Sequence, residues 1–184
     1  AKFAEQRVGV FVDIQNMYYS ARVLYSKKVN FKNVLTAATS ERKLIRAIAY
    51  GIKTVEATED KFFEALEKLG IETKTKDLQI FAGGAKKADW DVGLAVDAIT
   101  AAPKLDTVIL VTGDGDFVPL VEHLKQDGVQ VEVVSFGKST SAKLKDAAEA
   151  FGKLFGKDLN RKDFIPYTAL DGKFDLSEIP CTQE

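Results

Sequence analysis

The stretch Asp106-Thr-Val-Ile-Leu-Val-Thr-Gly-Asp-Gly-Asp-Phe-Val-Pro119 constrains this chain more than any other. Its apolar, mostly β-branched run Val108 to Val111 reads as a strand buried on both faces. The run ends in Thr112-Gly113, and Asp114 and Asp116 follow with a single glycine between them. Phe117, Leu120, Val121 and Leu124 then recur at helical spacing. A strand, a glycine turn and a helix start place both aspartates at the carboxyl end of a parallel strand, where open α/β sheets build their binding sites. Aspartate is also a favoured helix cap, so neither residue alone argues for a site.

The rest of the chain supplies the sheet. Val8 to Val12 is a first strand ending in Asp13-Ile-Gln-Asn16, with Met17, Tyr18, Ala21, Leu24 and Tyr25 at helical spacing behind it. Phe31 to Ala38 suggests a short helix. Arg42 to Tyr50 reads as a second strand, with a helix as the alternative. Glu59 to Leu69 is an amphipathic helix stopped by Gly70. Ile71 to Lys76 alternates as a strand near a sheet edge, blunted by Lys74 and Lys76. Phe81 to Ala88 reads as a flexible basic loop. Asp89 to Thr100 is a helix with Asp89 or Asp91 at its start and Val92, Leu94, Ala95, Val96 and Ile99 largely buried. After the Val108 strand, the fourth, Gly128 to Val134 is a fifth, and Ser141 to Leu154 is a last helix. Strands alternating with helices imply an α/β fold, a three-layer sandwich around a parallel, Rossmann-like sheet of about five strands. Residues 1–160 form the expected domain, and 161–184 an extended or partly disordered C-terminal extension.

If the first and fourth strands are neighbours, their carboxyl ends meet at the switch point. Asp13, Asn16, Asp91, Asp114 and Asp116 then converge, with Asp89 and Asp97 nearby. Such carboxylates repel one another unless a positive group sits among them, and all-oxygen donors suit Mg²⁺ or Mn²⁺. A hard cation there makes phosphodiester hydrolysis the natural reaction. Charge elsewhere adds little: 26 basic and 27 acidic residues nearly cancel, so a polyanion must be held by a local patch or through metal. Lys86 and Lys87 beside the acidic set, with Asn16, Trp90 and Thr112, are the expected substrate contacts. Packing is the ordinary role for a tryptophan at position 90, and stacking on a base the sharper one. Tyr18 and Tyr19 read as core or rim, His123 as surface, and Lys27-Lys28 and Lys74 with Lys76 as solvated faces. Gly137-Lys-Ser-Thr140 imitates the end of a P-loop, but the required first glycine would fall on Glu132 inside a strand, so ATP chemistry is rejected. One cysteine, Cys181, no membrane-length apolar run and no signal-peptide pattern at the start point to a cytoplasmic location.

Val10-Phe-Val-Asp-Ile-Gln-Asn16, Lys87-Ala-Asp-Trp-Asp-Val-Gly-Leu-Ala-Val-Asp97 and Val111-Thr-Gly-Asp-Gly-Asp-Phe-Val-Pro-Leu120 resemble the NYN domain, in its LabA-like branch, over about residues 7 to 156. The resemblance implies a PIN-like nuclease fold and metal-dependent ribonuclease activity on single-stranded or structured RNA. It also implies that Asp13, Asp91, Asp114 and Asp116 bind Mg²⁺ or Mn²⁺ and that Asn16 orients substrate or a water. The family's basic residue falls on Lys86 or Lys87. Affinity for RNA could come from a homodimer or a protein partner. Two other functions compete. One is a regulatory module that grips RNA or protein without cutting. The other is a haloacid-dehalogenase-like phosphatase, since Gly113-Asp-Gly-Asp116 is similar to a late acidic motif of that superfamily. Those enzymes carry Asp-x-Asp after the first strand, and Asp13-Ile-Gln15 lacks the second acid.

Overall fold

In the computed structural model, residues 4–26, 28–53, 58–84 and 86–148 are described. The expected extension at 161–184, and the last helix beyond residue 148, lie outside them. Five strands, β1 (Arg7–Asp13), β2 (Lys43–Lys53), β3 (Glu72–Asp77), β6 (Thr107–Val111) and β7 (Gln130–Val134), form one parallel sheet in the order β3-β2-β1-β6-β7. The helix alternative for Arg42 to Tyr50 is therefore excluded. Two short strands, β4 (Gln79–Ile80) and β5 (Lys86–Lys87), pair antiparallel in a separate ribbon. The stretch read as a loop from Phe81 to Ala88 is thus largely the turn and return leg of a hairpin. Strand signals two residues long are too short for periodicity to reveal.

Helices cover both faces of the sheet because its strands are apolar on both. Val8, Val10, Val12, Ile109 and Val111 pack against α1 (Ile14–Tyr25), α2 (Phe31–Thr39) and α3 (Thr58–Lys68). Phe11, Ile48, Tyr50, Val108 and Leu110 pack against α4 (Asp91–Ala101), α5 (Val118–Gln126) and the helix at residues 142–148. Odd and even positions of one strand go to opposite layers, as the period of two requires. This is the expected three-layer α/β sandwich.

The chain leaves β1 in one direction along the sheet and returns to β6 on its other side. The switch point therefore lies between neighbouring β1 and β6. Their register pairs Val12 with Val111, so Asp13 and Thr112, one residue further on, emerge side by side. Helix α4 sets the third component. It anchors through Leu94 and Ala98, and not through Val92, Val96 and Ile99, which are 74%, 55% and 39% exposed. The expectation that those three are buried fails because this helix is apolar on two sides, and pattern alone does not say which side meets the sheet. Asp91 is its first residue, and Asp89 lies outside it and is exposed.

Candidate metal centre at the carboxyl edge

Asp13 caps α1: its side chain accepts the backbone N–H of Asn16 at 3.1 Å. Its other oxygen accepts the Thr112 hydroxyl at 3.1 Å, and that hydroxyl accepts the Asp114 N–H at 3.2 Å. One buried threonine thereby ties the ends of the two central strands together. Asn16 adds a second tie, its Oδ1 accepting the Gly113 N–H at 2.8 Å. Because a backbone donor fixes which amide atom is the oxygen, both N–H donors of the Asn16 side chain remain available. Asp114 caps the short turn Gly115–Phe117 by accepting the Asp116 N–H at 3.0 Å.

The loop holding these aspartates cannot carry a side chain at its glycines. A Cβ on Gly113 would stand 2.8 Å from Ser135 Oγ and 3.0 Å from the Ser139 carbonyl, and one on Gly115 would stand 2.6 Å from Ser141 Oγ. The Ser141 N–H donates to the Gly113 carbonyl at 2.9 Å, closing the contact. Residues 135–141 are therefore the wall of this loop, and sequence reasoning missed Ser135, Ser139 and Ser141 in that role. No motif marks them, since the contact joins segments far apart in the chain. The Gly137–Thr140 stretch is a turn, Gly137–Ser139 being one 3₁₀ turn.

Asp91, Asp114 and Asp116 come together, one carboxylate oxygen of each lying within 4.8 Å of the others. Asp13 stands behind them rather than in the group, held by Asn16 and Thr112. The electrostatics are those of crowded like charges. Burial, followed by repulsion from Asp114, Asp89, Asp13 and Asp116, pushes the Asp91 carboxyl up to about 6. Burial also raises Asp13, against the hydrogen bonds of Asn16 and Thr112. Three convergent carboxylate oxygens, with Asp91 raised among them, fit a hard divalent cation, which would relieve the repulsion.

Other expected site residues are placed differently. Asp97 faces away from the group and accepts Tyr50 Oη at 2.8 Å and Lys74 Nζ at 2.7 Å. Burial would raise its carboxyl, but these two bonds hold it below the ordinary value. Lys74, read as solvated, is thus an anchor for α4. Trp90 is packed: Nε1 donates to the Gly51 carbonyl at 2.8 Å, its ring lies 5.4 Å from Tyr50, and Gly93 abuts it. Lys76 sits over that ring at 4.2 Å from its centroid and donates to the Asp89 carbonyl at 2.9 Å. Lys86 and Lys87 pair in register with Ile80 and Gln79. His123 is half-exposed on α5, with Nε2 3.5 Å from Asp127 Oδ2.

Fold and site together define an open parallel α/β protein with an acidic, cation-compatible group beside its switch point. The chain belongs to the NYN domain family, whose model matches residues 7–155. Low amplitude and bright protein LabA of Synechococcus elongatus is 25% identical to it over 157 residues, 81% of this chain and 84% of that protein. An uncharacterised protein of Methanocaldococcus jannaschii is 36% identical over 92 residues, 49% of this chain and 34% of its own length. The crystal structure of a protein of unknown function from Vibrio parahaemolyticus superposes with a TM-score of 0.73 at 36% identity, covering 79% of this chain and 91% of that one. Among the described residues no helix is long and apolar enough to cross a membrane.

Proposed function

We propose that this protein is a divalent-metal-dependent ribonuclease, hydrolysing RNA phosphodiester bonds at the Asp91, Asp114 and Asp116 group. The observation that carries the reading is that group itself: three carboxylates within 4.8 Å at the carboxyl edge, one of them held well above its ordinary proton affinity. Mg²⁺ or Mn²⁺ held there supplies an activated water and neutralises charge building on a phosphoryl oxygen. Asp91, Asp114 and Asp116 are its ligands. Asp13 adds negative charge behind them and, through Thr112, fixes where Asp114 points. Asn16 would hold a phosphate oxygen or the attacking water through its two amide donors, its Oδ1 being taken by the Gly113 N–H. Family membership supports RNA as the substrate, and Mn²⁺, Mg²⁺ and a cytoplasmic setting belong to the same reading.

The test is cleavage of end-labelled RNA with Mg²⁺ or Mn²⁺, with and without EDTA, by wild type and Asp114→Asn. Metal-dependent cutting lost in the variant supports the proposal. Equal cutting by both, or none by wild type on single-stranded and structured RNA alike, would sink it. A second reading, a module that binds a partner without cutting, is favoured by one observation. The exposed stripe Val92, Val96 and Ile99 starts beside the acidic group and suits a protein surface.

A further inference from the structure

Asp114 and Asp116 share one loop, tied down by Thr112, Asn16 and the wall at residues 135–141. Asp91 meets them from a different element, the start of α4, so the three converge only if that helix is fixed against the loop. Little within α4 does this. Trp90 stands at its cap position but makes no side-chain capping bond, and Leu94 and Ala98 are the helix residues that are buried. Roll matters here. A carboxylate oxygen lies about 5 Å from the axis of its helix, so a roll of about 10° carries it roughly 1 Å. A metal site tolerates about 0.2 Å in its ligand distances.

Two side-chain tethers hold α4, and both reach the carboxyl end of β2. Trp90, the residue before Asp91, donates its Nε1 hydrogen to the Gly51 carbonyl at 2.8 Å. Two turns further along α4, Asp97 accepts Tyr50 Oη at 2.8 Å and Lys74 Nζ at 2.7 Å. The tethers stand about 10 Å apart along the helix, enough to set roll and slide together. Tyr50 pairs in register with Asp13, so both end at the sheet edge that carries the site. The Trp90 ring is itself clamped, with the Tyr50 ring 5.4 Å away and Lys76 Nζ 4.2 Å from its centroid. A Cβ on Gly93 would stand 2.6 Å from that ring, so the helix backbone rests against it.

We infer that Trp90 and Tyr50 are positioning residues for the metal centre: by fixing the roll of α4 they put the Asp91 carboxylate where a divalent cation can join it to Asp114 and Asp116. The inference rests on the metal-dependent reading, and it concerns affinity rather than turnover. Calorimetric titration of the full-length, metal-free protein with Mn²⁺ would compare wild type with Trp90→Phe, Tyr50→Phe, the double variant and Val34→Ala. The first two keep an aromatic ring and lose the N–H or O–H that tethers α4. Each is expected to bind Mn²⁺ about tenfold more weakly, and the double variant more weakly still. Val34 is buried on α2, across the sheet, so its truncation loosens the fold away from α4 and should leave the affinity unchanged. Trp90 is the one tryptophan of the chain, so quenching of its emission by Mn²⁺ gives the wild-type and Tyr50→Phe affinities by a second route. Tether variants that bind as tightly as wild type would overturn the inference and leave the metal centre standing. An equal loss in Val34→Ala would also overturn it, since loosened packing alone would then explain the effect. A wild type that takes up no Mn²⁺ would overturn both.

Discussion

Replacing Asp91 with asparagine should make the metal-free protein more stable at neutral pH, the opposite of what most single substitutions do. The Asp91 carboxyl titrates at about 6 in the folded chain against an ordinary 3.8. Between those values the folded state binds the proton that the unfolded state has released. Stability is therefore fully present below about pH 4, is lost as pH rises towards 6, and stays lost above it. Unscreened, that displacement corresponds to about 3 kcal/mol. The side chain is only half-buried and opens a helix, where a carboxylate is favoured by roughly 0.3–1 kcal/mol, so a net gain of about 1 kcal/mol is the reasonable figure. For a chain of this length that raises the melting temperature by about 2–4 °C. Differential scanning calorimetry in EDTA at pH 7.5 should show Asp91→Asn melting above wild type, with the gap closing at pH 4. Adding Mn²⁺ at a hundredfold excess over its dissociation constant should then stabilise wild type by about 2.7 kcal/mol and reverse the order. If the variant melts below wild type in EDTA at pH 7.5, the account of Asp91 as a self-repelled ligand fails.

Three further outcomes follow from the same geometry. Thr112→Val removes the hydroxyl that serves both Asp13 and the Asp114 N–H, so it should cost about 1–3 kcal/mol and, in the RNA assay, depress turnover more than binding; an unchanged melting temperature would contradict this. Gly113→Ala drives a methyl group against Ser135 and the Ser139 backbone, and should lower stability and weaken Mn²⁺ binding in calorimetric titration; wild-type affinity would show that the loop yields freely. Arg42→Ala strands Glu132, which Arg42 grips through two bonds of 2.8 Å with little exposure of either side chain. Urea denaturation should show a loss of about 3–5 kcal/mol, recovered in large part by an apolar pair such as Arg42→Met with Glu132→Leu; a smaller loss would mean water enters the site.

The sheet was legible because its strands are extreme. Val108 to Val111 is apolar without interruption, and Val8 to Val12 nearly so, and only strands buried on both faces look like that. Their carboxyl-end aspartates were legible for the same reason, since a polar residue that abruptly ends such a run stands at the sheet edge. What resisted reading depends on partners distant in sequence. Thr112 reaches Asp13, 99 positions away, through a contact that no local pattern encodes. The difference between Asp97, neutralised by Lys74, and Asp91, left among like charges, is set by how α4 is rolled on the sheet. That roll is ambiguous in a helix apolar on two sides, which is also why Val92, Val96 and Ile99 were misplaced. The β4–β5 ribbon escaped because two-residue strands have no period.

The most direct measurement of the central claim is an anomalous difference map from crystals of the full chain soaked in Mn²⁺. The account predicts a peak within about 2.5 Å of oxygens from Asp91, Asp114 and Asp116, absent from crystals of Asp114→Asn. A well-ordered, fully soaked crystal with no peak among those three carboxylates, or with its peak elsewhere, would contradict it.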